Sequence, residues 1–151
     1  MSDDVLREFE SPAVIEIEDN IHAELEKRKL LPAPNARDGA FKLLSRALAK
    51  VILHSQYDAI YGVIFGSQIN LLVHINGQNN IGEAEKAIRE YYLRKQSEFE
   101  KLKDYSFDSY INYLTSAVLL KKEGDIYKIT VKGRDFLQYI AASGKSFTKD
   151  L

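Results

Sequence analysis

The apolar positions of this chain follow two periods. Over most of its length they recur every three or four residues, and near the C-terminus they alternate. Val14, Ile17, Ile21 and Leu25 recur at helical steps after Ser11-Pro12, a hydroxyl N-cap followed by proline at the first helical position. This spacing predicts a helix from Pro12 to about Leu30, though Ile15 and Ile17 also alternate with Glu16 and Glu18, which leaves a short strand open at its start. Leu31-Pro32-Ala33-Pro34-Asn35 breaks the element, because each proline disfavours helix in the residue before it.

A second helix is expected from Asn35 or Asp38. Phe41, Leu44, Leu48, Val51 and Ile52 mark its apolar face, and the pattern runs on through Ile60, Ile64, Leu71, Leu72 and Ile75, with a candidate break at Ser55. Gly62 and Gly66 stand four apart in this pattern, a spacing that suits close helix packing. Asn76-Gly77-Gln78-Asn79-Asn80 is a turn cluster. Asn80 and Glu83 have capping-box spacing and predict a helix over about 81–101. Ser106 is the next N-cap candidate, ahead of a stripe of Phe107, Tyr110, Ile111, Leu114 and Val118.

The period then changes. Val118–Lys122 and Ile126–Thr130 read as two strands around Glu123-Gly124-Asp125, a tight turn with glycine available for positive φ. Thr130 caps a last helix with Phe136, Leu137 and Ile140 facing inward, and Gly144 lies just past its end.

Composition adds exclusions. The chain has no cysteine, so disulfides and Cys-based metal or nucleophile sites are ruled out. Nothing near the N-terminus has the apolar run of a signal peptide, and the apolar run 59–66 is too short to span a bilayer. A cytoplasmic protein without membrane contact is therefore expected. The net charge of −1 hides an asymmetry. Residues 1–40 hold 10 acids and 5 bases, whereas 86–134 hold 11 bases and 7 acids. The expected organisation is an acidic helical arm and linker over 1–34, a helical bundle over 35–142 that runs into the hairpin module, and a tail over 143–151.

The order of helices, hairpin and final helix, with Tyr127, Ile129-Thr130, Lys132-Gly133-Arg134 and Phe136-Leu137, resembles the wing of bacterial and archaeal winged-helix proteins. The likeness is most specific over about 24 residues, 117–140, extends more weakly back to Phe65, and leaves 1–55 outside. It implies a mainly α fold with a small β-hairpin, that is, a winged helix-turn-helix with an N-terminal helical extension. It also implies a recognition helix over 106–117, a wing over 118–130, and Gly133 as the residue that lets the hairpin approach the last helix.

The resemblance further implies binding of double-stranded DNA, as a transcriptional regulator acting as a homodimer. Base readers would come from the helix, at Ser109, Asn112 and Ser116. Phosphate contacts would come from Lys121, Lys122, Lys128, Lys132 and Arg134. The helix itself departs from the pattern, since it has no lysine or arginine and carries Asp108, whereas arginine is the commonest specific reader of guanine. A protein–protein or dimerisation module that binds no DNA is therefore the alternative. Enzymatic chemistry is not expected. His22 and Glu26 have i, i+4 spacing but no companion ligands, the Gly62–Gly66 segment lacks a phosphate-loop lysine, and no motif points to a cofactor or metal. The tyrosines 91, 92, 110, 113, 127 and 139 stand at core spacing rather than as a stacking surface.

Overall fold

The structure, a computed structural model, describes residues 6, 7 and 9–149. It is mainly helical, with one small antiparallel sheet, and falls into two compact units, residues 1–59 and 60–151. No helix among the described residues is long and apolar enough to cross a membrane.

The N-terminal unit is built on two helices. Helix α1 spans Pro12–Lys27, and the Ser11 hydroxyl accepts the Val14 N–H at 3.2 Å as its cap. No strand forms at 13–18, because the proline start and this cap commit the segment to helix. Helix α2 spans Gly39–Val63 and opens where the Asp38 carboxylate accepts the Phe41 N–H at 2.9 Å. Ala13, Val14, Ala49, Leu53 and Tyr57 are buried. Glu18 is only 5% exposed. It accepts hydrogen bonds from the Ser45 hydroxyl at 3.0 Å and the Arg46 guanidinium at 2.7 Å, which tie α1 to α2. A carboxylate this buried persists only when so paired. Leu44, Leu48 and Val51 do not join the core that their spacing predicts; they are 69%, 50% and 65% exposed.

The continuous apolar pattern through residue 75 is not one helix. Helix α2 stops at Val63, and α3 runs over Gly66–Asn76. The Gln68 side chain accepts the Phe65 N–H at 2.9 Å, which satisfies the backbone at the break. The break therefore falls at 64–65 rather than at Ser55. Gly62 and Gly66 lie in different helices, so they form no shared packing strip. A side chain at Gly66 would meet the Lys149 carbonyl, whereas Gly62 faces open space.

The C-terminal unit continues with strand β1 (Glu83–Ala84), α4 (Glu85–Glu98), a 3-10 turn at Glu100–Leu102, and α5 (Phe107–Ser116). Strands β2 (Leu120–Glu123) and β3 (Ile126–Ile129) form the hairpin, and α6 (Val131–Ala142) closes the fold. The sheet order is β1-β3-β2, all antiparallel. The helix expected from residue 81 starts only at Glu85. Asn80 has φ 67° and caps nothing, and Glu83 pairs with Tyr127 as an added strand. The strand expected from Val118 begins at Leu120, because Val118 turns the chain at φ 60°.

Two contacts lock this unit. Thr130 donates its N–H to the Leu119 carbonyl at 3.1 Å and its hydroxyl to the Val118 carbonyl at 2.5 Å, while accepting the Gly133 N–H at 2.9 Å. A β-carbon at Gly133 would lie 2.3 Å from the Leu119 oxygen and 2.7 Å from Ile129 Cγ1. Deeper in, the buried Tyr110 hydroxyl donates to Ser67 Oγ at 3.0 Å, and the Gln68 amide donates to the Tyr110 carbonyl at 2.7 Å. These bonds fix α5 against α3, and burial pushes the Tyr110 phenol above its usual pKa.

Gly133→Ala is expected to destabilise the protein by about 1–3 kcal/mol, because the Leu119 backbone has to shift. A lowered urea midpoint measures this. Tyr110→Phe, which leaves Ser67 without its donor, is expected to cost about 1–3 kcal/mol in the same assay.

Candidate nucleic-acid interface

The hairpin register decides which of its lysines act together. Lys121 stands directly opposite Lys128 across β2 and β3, so their side chains leave the same face. Lys122 leaves the other face. There its ammonium meets Glu85 of α4 at 2.6 Å and lies 5.4 Å from the centre of the Tyr127 ring.

The face with Lys121 and Lys128 opens into a cleft of about 380 Å³ that also takes in Asn80, Thr130 and Arg134. Arg134 projects from the second turn of α6 and donates to the Asn80 side-chain oxygen at 3.3 Å. The start of α6 lies on this cleft, through Thr130 and Val131. The helix dipole of α6 adds positive potential to that of the three cations. The cleft adjoins the end of α5, since Thr130 is bonded to Val118, two residues past the last helical residue.

One acid tempers this cluster. Glu123 bridges both lysines, at 2.7 Å from Lys121 and 2.6 Å from Lys128. The two ammonium groups hold its carboxyl down at about 2. With Glu123 ionised, Lys121, Lys128 and Arg134 sum to an excess of two positive charges. Anionic ligands can draw the lysines away, because exposed ion pairs of this kind are weak.

The expected base readers are displayed as the helix spacing requires. Ser109, Asn112 and Ser116 are exposed along α5, while Phe107, Tyr110, Ile111 and Leu114 face the core. Ser109 also shares a 2.9 Å hydrogen bond with the capping Ser106. Asp108 is exposed on the same helix. Lys132 is half-buried on α6 and is not part of the cleft. The structure thus brings Lys121, Lys128 and Arg134 together and sends Lys122 elsewhere. The bases of the preceding segment do not converge on the cleft. Lys95 pairs with Glu98 at 2.7 Å, Lys103 pairs with Glu100 at 2.5 Å, and Arg89 stacks 4.0 Å from the centre of the Phe107 ring. Asn80, which the spacing placed at a helix cap, is the cleft residue the sequence did not suggest; the run of asparagines after Gly77 was its only signal.

His22 stacks on Phe41 and lies 3.9 Å from Glu18. Among the described residues, no three His, Asp or Glu side chains gather as metal ligands. No protein-family model, curated protein or solved structure matches the chain.

The acid limb of stability follows from the ion pairs. Glu123 and Glu85 both sit below the usual value of 4.5 in the folded protein, Glu123 through its two lysines and Glu85 chiefly through Lys122. A carboxyl depressed on folding stabilises the fold above its unfolded pKa, and that stabilisation is lost as pH falls through the folded value. Thermal melts are therefore expected to lose stability as pH drops from 4.5 towards 2. Glu123→Gln should lose less over that window than the parent.

Proposed function

We propose that the C-terminal unit is a winged-helix module that binds double-stranded DNA, as transcriptional regulators of that type do, with the β2–β3 hairpin as its wing. The observation that carries this reading is the convergence of Lys121, Lys128 and Arg134 on one cleft at the N-terminus of α6. Duplex affinity comes mostly from phosphate neutralisation, and three cations beside a helix start suit a phosphate. Helix α5 would lie along the groove and present Ser109, Asn112 and Ser116. Of these, Asn112 has the chemistry to read adenine. Lys122 is assigned to holding β2 against α4 instead.

A specific observation favours a second reading, a protein-interaction module. The outward face of α5 carries Asp108 and no base, and Glu123 occupies both hairpin lysines. A helix face with an acid and no base suits a protein surface better than a phosphate backbone.

A fluorescence-anisotropy titration of labelled duplex DNA, repeated over a range of salt, separates the two. The DNA reading predicts binding at about 50 mM salt and, for three contacts, a slope of log K against log salt of about −2.7. Lys121→Ala, Lys128→Ala and Arg134→Ala should each shallow that slope by about 1. Glu123→Gln should tighten binding by about 2–5-fold by releasing two lysines, and Lys122→Ala should leave the slope unchanged. Absence of binding at low salt sinks the DNA reading and leaves the protein-interaction one.

A further inference from the structure

A second cleft of the C-terminal unit, of about 430 Å³, lies along the seam between α3 and α4. It shares no lining residue with the cleft at α6. Leu71 of α3 and Ala87 and Ile88 of α4 form its apolar floor. The Tyr91 hydroxyl donates to the Ser67 carbonyl at 2.9 Å, which fixes that ring as a wall across the seam. The two helices run antiparallel here, since Tyr91 meets Ser67 while Glu83, just ahead of α4, meets His74.

Polar groups stand at both ends of the floor. At one end His74 Nε2 lies 2.8 Å from Glu83 Oε2, and Glu83 Oε1 accepts the Ala84 N–H at 3.0 Å. At the other end Glu90 and Arg94 are exposed, four residues apart on α4. Acid and base at that spacing can pair across one helical turn. Here, among the described residues, neither side chain has an ion-pair or hydrogen-bond partner.

We propose that this cleft binds a free basic α-amino acid, the class of lysine, ornithine and arginine. Arg94 and Glu90 match the two charges of the α-amino acid head, carboxylate to guanidinium and ammonium to carboxylate. The floor of Leu71, Ala87 and Ile88 takes the methylene stem, which packs on apolar surface while its charged end stays solvated or paired. Glu83 then offers an acceptor to the cationic tip. From Ser67 to His74, α3 rises by about 10 Å, a length suited to a ligand with a charge at each end. The signs agree as well. Glu83, Glu90 and Arg94 sum to one negative charge, whereas a basic amino acid carries one net positive charge. A simple carboxylate would leave Glu90 and Glu83 unmatched, and an apolar ligand would leave both ends unmatched. An apolar floor with a few convergent polar groups is the anatomy of a small-molecule site. The inference rests on the α3/α4 seam alone and stands whether or not the hairpin binds DNA.

A ¹⁵N–¹H chemical-shift titration of the full chain with L-lysine tests it. Saturable shifts at the amides around Leu71, His74, Ala87 and Tyr91 are expected, with a Kd of about 1 mM or tighter. Three analogues each remove one contact: cadaverine lacks the carboxylate, 6-aminohexanoate the α-ammonium, and norleucine the cationic tip. Each should bind about tenfold or more weakly than lysine. Arg94→Ala should weaken lysine by a similar factor and abolish its advantage over cadaverine, while Glu90→Gln should abolish the advantage over 6-aminohexanoate. Both positions are exposed, so the circular dichroism spectrum should not change. Lys86→Ala, on α4 outside the cleft, should leave lysine binding as it was. The proposal is overturned by the absence of saturable shifts at roughly 10 mM lysine, ornithine or arginine, or by shifts centred elsewhere. Analogues that bind as tightly as lysine, or lysine binding indifferent to Arg94→Ala and Glu90→Gln, overturn it equally. The duplex titration reads the separate cleft of Lys121, Lys128 and Arg134, so failure of one claim leaves the other standing.

Discussion

The C-terminal unit depends on one close approach, that of α6 to the Leu119 carbonyl. Thr130 donates its N–H to that oxygen, and Gly133 passes it with room for nothing larger than hydrogen. The same Thr130 hydroxyl caps α6, so one residue ends β3, starts the helix and holds the turn at Val118. Displacing this clamp would free the hairpin from the helix. The cleft of Lys121, Lys128 and Arg134 exists because hairpin and helix are held at this junction. The charge arrangement is therefore a consequence of a backbone packing constraint.

The register of the hairpin does the remaining sorting. A strand sends successive side chains to opposite faces, so Lys121 and Lys122 cannot serve one site. Lys121 joins Lys128 at the cleft, and Lys122 reaches Glu85 and braces β2 against α4. Glu123, two residues from Lys121, falls on the cleft side and moderates it. The outcome is a site with a modest excess of positive charge, beside a helix face that has none.

Much of the C-terminal architecture is legible in the residues. Ser106 and Thr130 cap their helices as their spacing suggests, and the Glu123-Gly124-Asp125 turn joins two strands. What escapes has physical causes. Strand β1 is two residues long, too short for alternation to register, and its signal is Gly82, which at φ 82° lets the chain pass the Tyr127 carbonyl. The break after Val63 leaves the apolar period unbroken, so only the Gln68 side chain bonded to the Phe65 N–H marks it. Leu44, Leu48 and Val51 look like core because periodicity reports a face, not what covers it. The Glu18–Arg46 pair joins residues 28 apart and leaves no local trace. Of the candidate site, residue types and approximate positions were legible; which lysine shares a face with Arg134 required the register.

On the proposed reading, the cleft at the start of α6 is where the chain would meet a DNA duplex. The most direct measurement is a ¹⁵N–¹H chemical-shift titration of the protein with a short DNA duplex. Binding at this cleft would give the largest shifts at the amides of Lys121, Lys128, Val131 and Lys132, with a second set along the outward face of α5 at Ser109, Asn112 and Ser116. Shifts confined to the lysines and arginines of α4, or spread evenly over the surface, would contradict it.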